Sequence, residues 1–156
     1  MKKFELTTET ITNAVGKKLF RIKALVEFGD VKAGEIGGYV EKEENVSQDG
    51  NAWVYGDTCV YGNAKVSGNA RVYGDAMVSG NTDYALVQGF GTEFRCTTFY
   101  RDKNKKIMVN CGCFHGDLEE FRKQVKETRS GKIAKEYLMI ADLMEYHFAS
   151  EDSGDE

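Results

Sequence analysis

The stretch "VYGDTCVYGNAKVSGNARVYGDAMVSGN", residues 54–81, decides how this chain is read, because a valine recurs at every sixth residue: Val54, Val60, Val66, Val72 and Val78. Between valines come a Gly, an Asn or Asp, and then an Ala or Thr. Side chains alternate sides along an extended segment, so "AWVY" (52–55) sends Ala52 and Val54 to one side and Trp53 and Tyr55 to the other. The next two residues are turn material. Glycine accepts a positive φ at no steric cost and Asn or Asp tolerates it better than most, so the chain bends after four extended residues. Repetition makes it coil, burying together what no single repeat could bury alone.

The register runs outward from this block. Counting back from Val54 by sixes reaches Gln48, Lys42 and Ile36, and "IGGYVE" (36–41) keeps the same order of residue types. On that count Val40 and Val46 take the inward slot later held by Ala52, Thr58, Ala64, Ala70, Ala76 and Thr82, giving about eight hexads over 36–83. Lys42 and Gln48 are poor interior residues, so the first coil is expected to be irregular there. An aliphatic residue followed four positions later by a small one resembles the hexapeptide-repeat family. That resemblance implies a mainly β fold: a short left-handed parallel β-helix of about 2.5–3 coils. It also implies self-association, commonly as a homotrimer packed through coil faces.

Residues 18 apart stack in a three-fold coil, which allows the outer faces to be read. Trp53 and Tyr55 fall beneath Arg71 and Tyr73, Cys59 and Tyr61 beneath Met77 and Ser79, and Lys65 and Ser67 beneath Asp83 and Ala85. Aromatic, Met and Arg side chains mark interface cores, so Trp53, Tyr55, Cys59, Tyr61, Arg71, Tyr73 and Met77 are expected to meet a partner or a second copy. The third face is polar. Lys65, Arg71 and Arg95 are the cations that a small phosphate-bearing ligand would use.

The flanks divide the chain into a β cap (1–35), the repeat (36–84), a C-terminal module (85–150) and an acidic tail (151–156). The tail is expected to lack order. "KFELTTET" and "KKLFRIKAL" form a hairpin around Asn13–Gly16, and "TEFRCTTFY" and "KKIMVNCGCFH" form a longer one. The period then becomes helical. Asp117 with Glu120 is a capping-box start, Leu118, Phe121 and Val125 share a face, and Gly131 precedes a second helix with Ile133, Tyr137, Ile140, Ala141, Met144 and Phe148 inward.

Composition excludes several classes. A chain of 156 residues that is 41% hydrophobic and 29% charged can bury a real core, and a net charge of -4 argues against direct nucleic-acid binding. No apolar run is long enough to span a bilayer and "MKKFELTTET" lacks a signal-peptide core, so a cytoplasmic location without membrane contact is expected. The four cysteines, Cys59, Cys96, Cys111 and Cys113, are then reduced thiols.

The hexapeptide family's best-known enzymes are acyltransferases that use a coil histidine as general base. Here both histidines, His115 and His147, lie beyond the repeat, which argues against that activity. In "CGCFH" a continuous strand would put Cys111, Cys113 and His115 on one face with Cys96 opposite, a conceivable zinc set. Zinc motifs seldom space their cysteines by one residue, and buried sulfur is the better reading. No metal, cofactor or catalytic set is expected. "GFGT" (89–92) lacks the lysine and helix of a phosphate loop.

The segments "GEIGGYVEKEENVSQDGNAWVYG", the "YGNA/VSGNA" array, "TTFYRDKNKKIMVNCGCFHGDLEEF" and "AKEYL" resemble small proteins encoded by bacteriophages and prophages. The resemblance implies a noncatalytic, host-directed protein: an anti-defence inhibitor that binds a host protein through its coil faces and C-terminal module. It carries no catalytic residue with it. The alternatives are a protein that sequesters a small ligand or nucleotide signal, and a virion or scaffold component in which the coil is a spacer.

Overall fold

A computed structural model describes residues 2–13, 15–80, 83–92, 95–111 and 114–149. At the N-terminus β1 (Phe4–Thr12) and β2 (Lys18–Ala24) form an antiparallel hairpin, and β3 (Ile36–Val40) adds antiparallel to β2. The repeat contributes four strands of two residues each: β4 (Trp53–Val54), β5 (Cys59–Val60), β6 (Arg71–Val72) and β7 (Met77–Val78). Then come β8 (Tyr84–Phe90), β9 (Arg95–Arg101), β10 (Ile107–Cys111) and β11 (Phe114–Asp117). Two helices close the described chain, α1 (Leu118–Thr128) and α2 (Gly131–Phe148).

The single parallel β-helix expected from the repeat is overturned by the strand pairing. A mixed five-stranded sheet runs β1-β2-β3-β5-β7, a separate parallel pair joins β4 to β6, and β11-β10-β9-β8 form an antiparallel sheet. The physical reason lies in strand length. Two-residue strands offer few ladder hydrogen bonds, so the long antiparallel hairpins supply much of the backbone pairing.

The 18-residue offset survives locally, with Trp53 opposite Arg71, Val54 opposite Val72, Cys59 opposite Met77 and Val60 opposite Val78. It fails earlier in the chain. Tyr39 and Val40 pair with Cys59 and Val60, and Val46 bridges Val66, both at an offset of 20. Val46 and Val54 are eight residues apart rather than six, so the two extra residues lie between them. Val40 and Val46 therefore occupy the valine slot, not the small-residue slot. Ile36, counted inward by sixes, is 50% exposed and pairs with Lys23 at the sheet margin.

Gln48 does not point into an apolar interior either. Its side-chain oxygen accepts from the backbone N–H of Lys3 at 2.7 Å and of Phe4 at 3.2 Å, and its amide donates to the Phe4 carbonyl. A polar residue in the repeat thus becomes the clasp for the first strand, answering backbone groups that burial would otherwise leave unpaired.

Seven valines (40, 46, 54, 60, 66, 72 and 78) are at most 1% exposed and pack with Ala52, Ala64, Ala70 and Ala76. Each buried valine contributes about 1.5 kcal/mol or more. The repeat glycines make the bends between them: Gly62 has φ +67°, and a Cβ there would stand 2.7 Å from the Ser79 carbonyl oxygen. Only glycine satisfies both conditions.

The antiparallel sheet lies between two cores. Tyr84, Leu86, Tyr100 and Met108 face the valines, while Ala85, Val87, Phe99 and Val109 face the helices. The sequence reading anticipated one hairpin here; β8 and β11 are additional. Asp117 caps α1, accepting from the Glu120 N–H at 2.8 Å, and Lys106 at 2.9 Å joins backbone donors in holding its carboxyl below the ordinary range. Among the described residues no helix is long and apolar enough to cross a membrane.

Candidate interaction surface

The repeat residues that sequence reading assigned to an interface are largely claimed by the chain itself. Trp53 is fully buried, with the rings of Phe4 and Phe28 edge-on to it at 5.9 and 5.3 Å, and the missing side chain of Gly37 admits its indole. An interface role for Trp53 is corrected accordingly. The segments before the repeat fold over this face, because a tryptophan beside small residues is a large apolar site to cover. Cys59 is also buried, under Leu19 and Tyr39, with half-buried Tyr61 and Met77 packed around it. Burial is the first cause that pushes the Cys59 thiol up to about 11, and it also raises Cys96, so neither is a thiolate near neutrality.

What stays at the surface is a short polar aromatic row. Tyr55 and Tyr73 stack face to face at 4.1 Å with 3° between their planes, and the Tyr55 hydroxyl donates to Asp30 at 3.0 Å. The other oxygen of Asp30 accepts from Arg71 at 3.0 Å. His115 continues the row, 5.5 Å from the Tyr73 ring and hydrogen-bonded through Nε2 to the Tyr100 hydroxyl at 2.7 Å. Burial raises the pKa values of Tyr55 and Tyr100, so both of these hydroxyls stay protonated.

The cations proposed for a phosphate ligand are already engaged or separated. Arg71 is paired with Asp30, and Lys65 lies beside Val66, where its carbonyl accepts from Tyr84. The Arg95 side chain lies outside the described residues. So do Cys113 and the tail 151–156.

"CGCFH" is not one strand. Cys111 ends β10 opposite Phe114, while His115 lies in β11 opposite Asn110. Successive residues point to opposite faces, so Cys111 is directed toward the helices and His115 toward the tyrosines. Cys96 falls on the face of Thr98 and Tyr100, away from Cys111. The shared face expected of Cys111 and His115 is thus corrected by the antiparallel register of β10 and β11, and among the described residues no three His, Cys, Asp or Glu converge as metal ligands.

Sequence reading missed the most exposed apolar surface. Met139, Leu143 and Tyr146 of α2 are 60%, 57% and 78% exposed, and their i, i+4, i+7 spacing places them on one stripe. The inward stripe, Tyr137, Ile140, Ala141, Met144 and Phe148, is a separate buried set. The signal was present: α2 is apolar on two sides, and only one side can face the sheet. Lys132 and Lys135 flank the start of the outer stripe and Asp142 flanks its later part. Arg122 ties Asp142 (2.9 Å) and Glu145 (2.6 Å) to α1, fixing α2 from the side and leaving the outer stripe clear.

Comparison with known proteins finds no family that matches this chain and no curated protein similar to it.

Proposed function

We propose that this is a noncatalytic interaction protein that assembles as paired copies through the outer face of α2, with a host protein as the target of the pair. The exposed Met139–Leu143–Tyr146 stripe carries the reading. Its occupant is a second α2, laid antiparallel. The basic start of the stripe, Lys132 and Lys135, then runs toward the acidic later half of the other copy's α2, where Asp142 and Glu145 lie, whereas a parallel pairing sets like charges side by side. The resemblance to phage-encoded proteins supplies the host-directed part of the proposal, and the half-buried Tyr55, Tyr73 and Arg71 offer the pair a polar aromatic patch.

Light scattering on the purified chain tests the pairing. A dimer that Leu143→Glu converts to a monomer, and that weakens as salt rises, supports it. A monomer at about 100 μM, or a dimer indifferent to Leu143→Glu, overturns it. The host-directed part is tested by capture from a bacterial lysate, followed by rebuilding the complex from purified components. Loss of that complex in Tyr73→Ala supports the patch. Recovery of bound nucleotide without protein replaces the host target by the ligand-sequestering reading.

A further inference from the structure

A cavity of about 150 Å³ lies where the end of β10 meets the two helices. Its walls are rings: Phe114 and Phe121 are 5.8 Å apart at 55°, and Phe121 meets Tyr137 edge-on at 6.0 Å. Val125 completes the apolar side. Tyr137 is held in place by its hydroxyl, which donates to the Phe90 carbonyl at 3.1 Å. The volume is comparable to cavities that accept a single benzene ring.

The rim is polar and cationic. Cys111, whose sulfur accepts from the Thr97 hydroxyl at 3.1 Å, and Gln124 reach the cavity beside Arg129. Arg129 is the residue that ends α1, with its backbone N–H donating to Val125 at 2.9 Å. Its guanidinium lies 5.9 Å from the Tyr137 ring. The contrast with Arg122 on the same helix is informative. Arg122 is engaged by Glu119, Asp142 and Glu145, whereas among the described residues no carboxylate pairs with Arg129. Arg129 also stands between the negative end of α1 and the positive end of α2, whose fields offset each other there.

We infer that this cavity is a binding site for a small aromatic carboxylate, with the ring among Phe114, Phe121 and Val125 and the carboxylate on the Arg129 guanidinium. The guanidinium fork matches two carboxylate oxygens in one plane, and Gln124, which also lines the cavity, carries an amide that can donate. The aromatic walls select a flat group, and the size limits it to one ring. The site is distinct from the outer face of α2 and stands whether or not the chain pairs with itself.

Benzoate is the probe. Titrated into the full chain, it is expected to shift the amide resonances of Cys111, Phe114 and Gln124 saturably and to raise the melting temperature. Arg129→Gln, at an exposed position outside the core, should weaken binding about tenfold or more while leaving the unliganded melting temperature in place. Val125→Phe, which fills the cavity, should abolish binding. Absence of saturable shifts in the wild-type chain overturns the inference. So does benzamide binding as tightly as benzoate, or Arg129→Gln binding as tightly as wild type.

Discussion

Trp53 and Leu143 both point away from their own element's packed side, yet the first is fully buried and the second 57% exposed. Trp53 sits on a repeat whose neighbours in sequence, the β1–β2 hairpin and the loop carrying Phe28, fold back over it. Leu143 sits on the outer side of α2, where among the described residues no element lies over it. An outward apolar residue is therefore not in itself an interface. What decides its exposure is whether another segment of the fold lies over it.

The sharpest way to break this comparison is Trp53→Ala. A fully buried indole contacted by Phe4 and Phe28 should cost about 3–5 kcal/mol of stability in urea unfolding. A cost below about 1 kcal/mol would return Trp53 to the surface class. Next come the repeat glycines, which test whether the bends carry the block. Gly74→Ala should cost about 1 kcal/mol, since φ is +75° but a Cβ would meet open space. Gly62→Ala must also displace the Ser79 carbonyl and should cost more. Equal costs would mean that the Ser79 segment gives way freely.

A pH experiment examines the clasp over the Trp53 face. Lys3 is 4% exposed, and its ammonium donates to the carbonyls of Gly50 at 3.3 Å and Ala52 at 2.8 Å and lies 4.6 Å from the Phe28 ring. Burial lowers its pKa from 10.5 to about 8, partly offset by Asp49. Below pH 8 both folded and unfolded chains hold the proton, so the cost of burying the charge is fully present. As pH rises from 8 toward 10.5 the folded chain releases the proton first and stability increases, by at most about 1.4 kcal/mol per pH unit. Cys59 acts in the opposite sense above pH 9, so the decisive window is pH 8 to 9. Lys3→Met should flatten the rise there. The smallest effect is expected at the other pole: Leu143→Glu should change protomer stability by less than about 0.5 kcal/mol while disrupting pairing.

Much of this molecule was legible in order of residues. The valine beat marked the interior: all five valines of the quoted stretch are buried, as are Ala64, Ala70 and Ala76. Asp117 and Glu120 marked the start of α1, and the capping box is present. Both are local signals, in which the residues that act lie within a few positions of one another. The two-residue slip between Val46 and Val54 was hidden, because counting by sixes cannot see an insertion without knowing what stacks on what. The candidate cavity was hidden for the same reason. Cys111, Gln124, Arg129 and Tyr137 come from three elements, and nothing in their spacing announces that they meet.

By itself, then, the sequence determined that the valines and alanines of 52–78 are inward, where the chain bends and where the helices begin, since period, glycine and capping act over short range. Tertiary structure decided which strands pair, that the repeat is shared between two sheets rather than standing as one coil, that the N-terminal segments cover Trp53, and that α2 keeps a bare apolar stripe. Those outcomes depend on covering surfaces far apart in the chain. A local pattern specifies a face, and only the assembled fold specifies what that face touches.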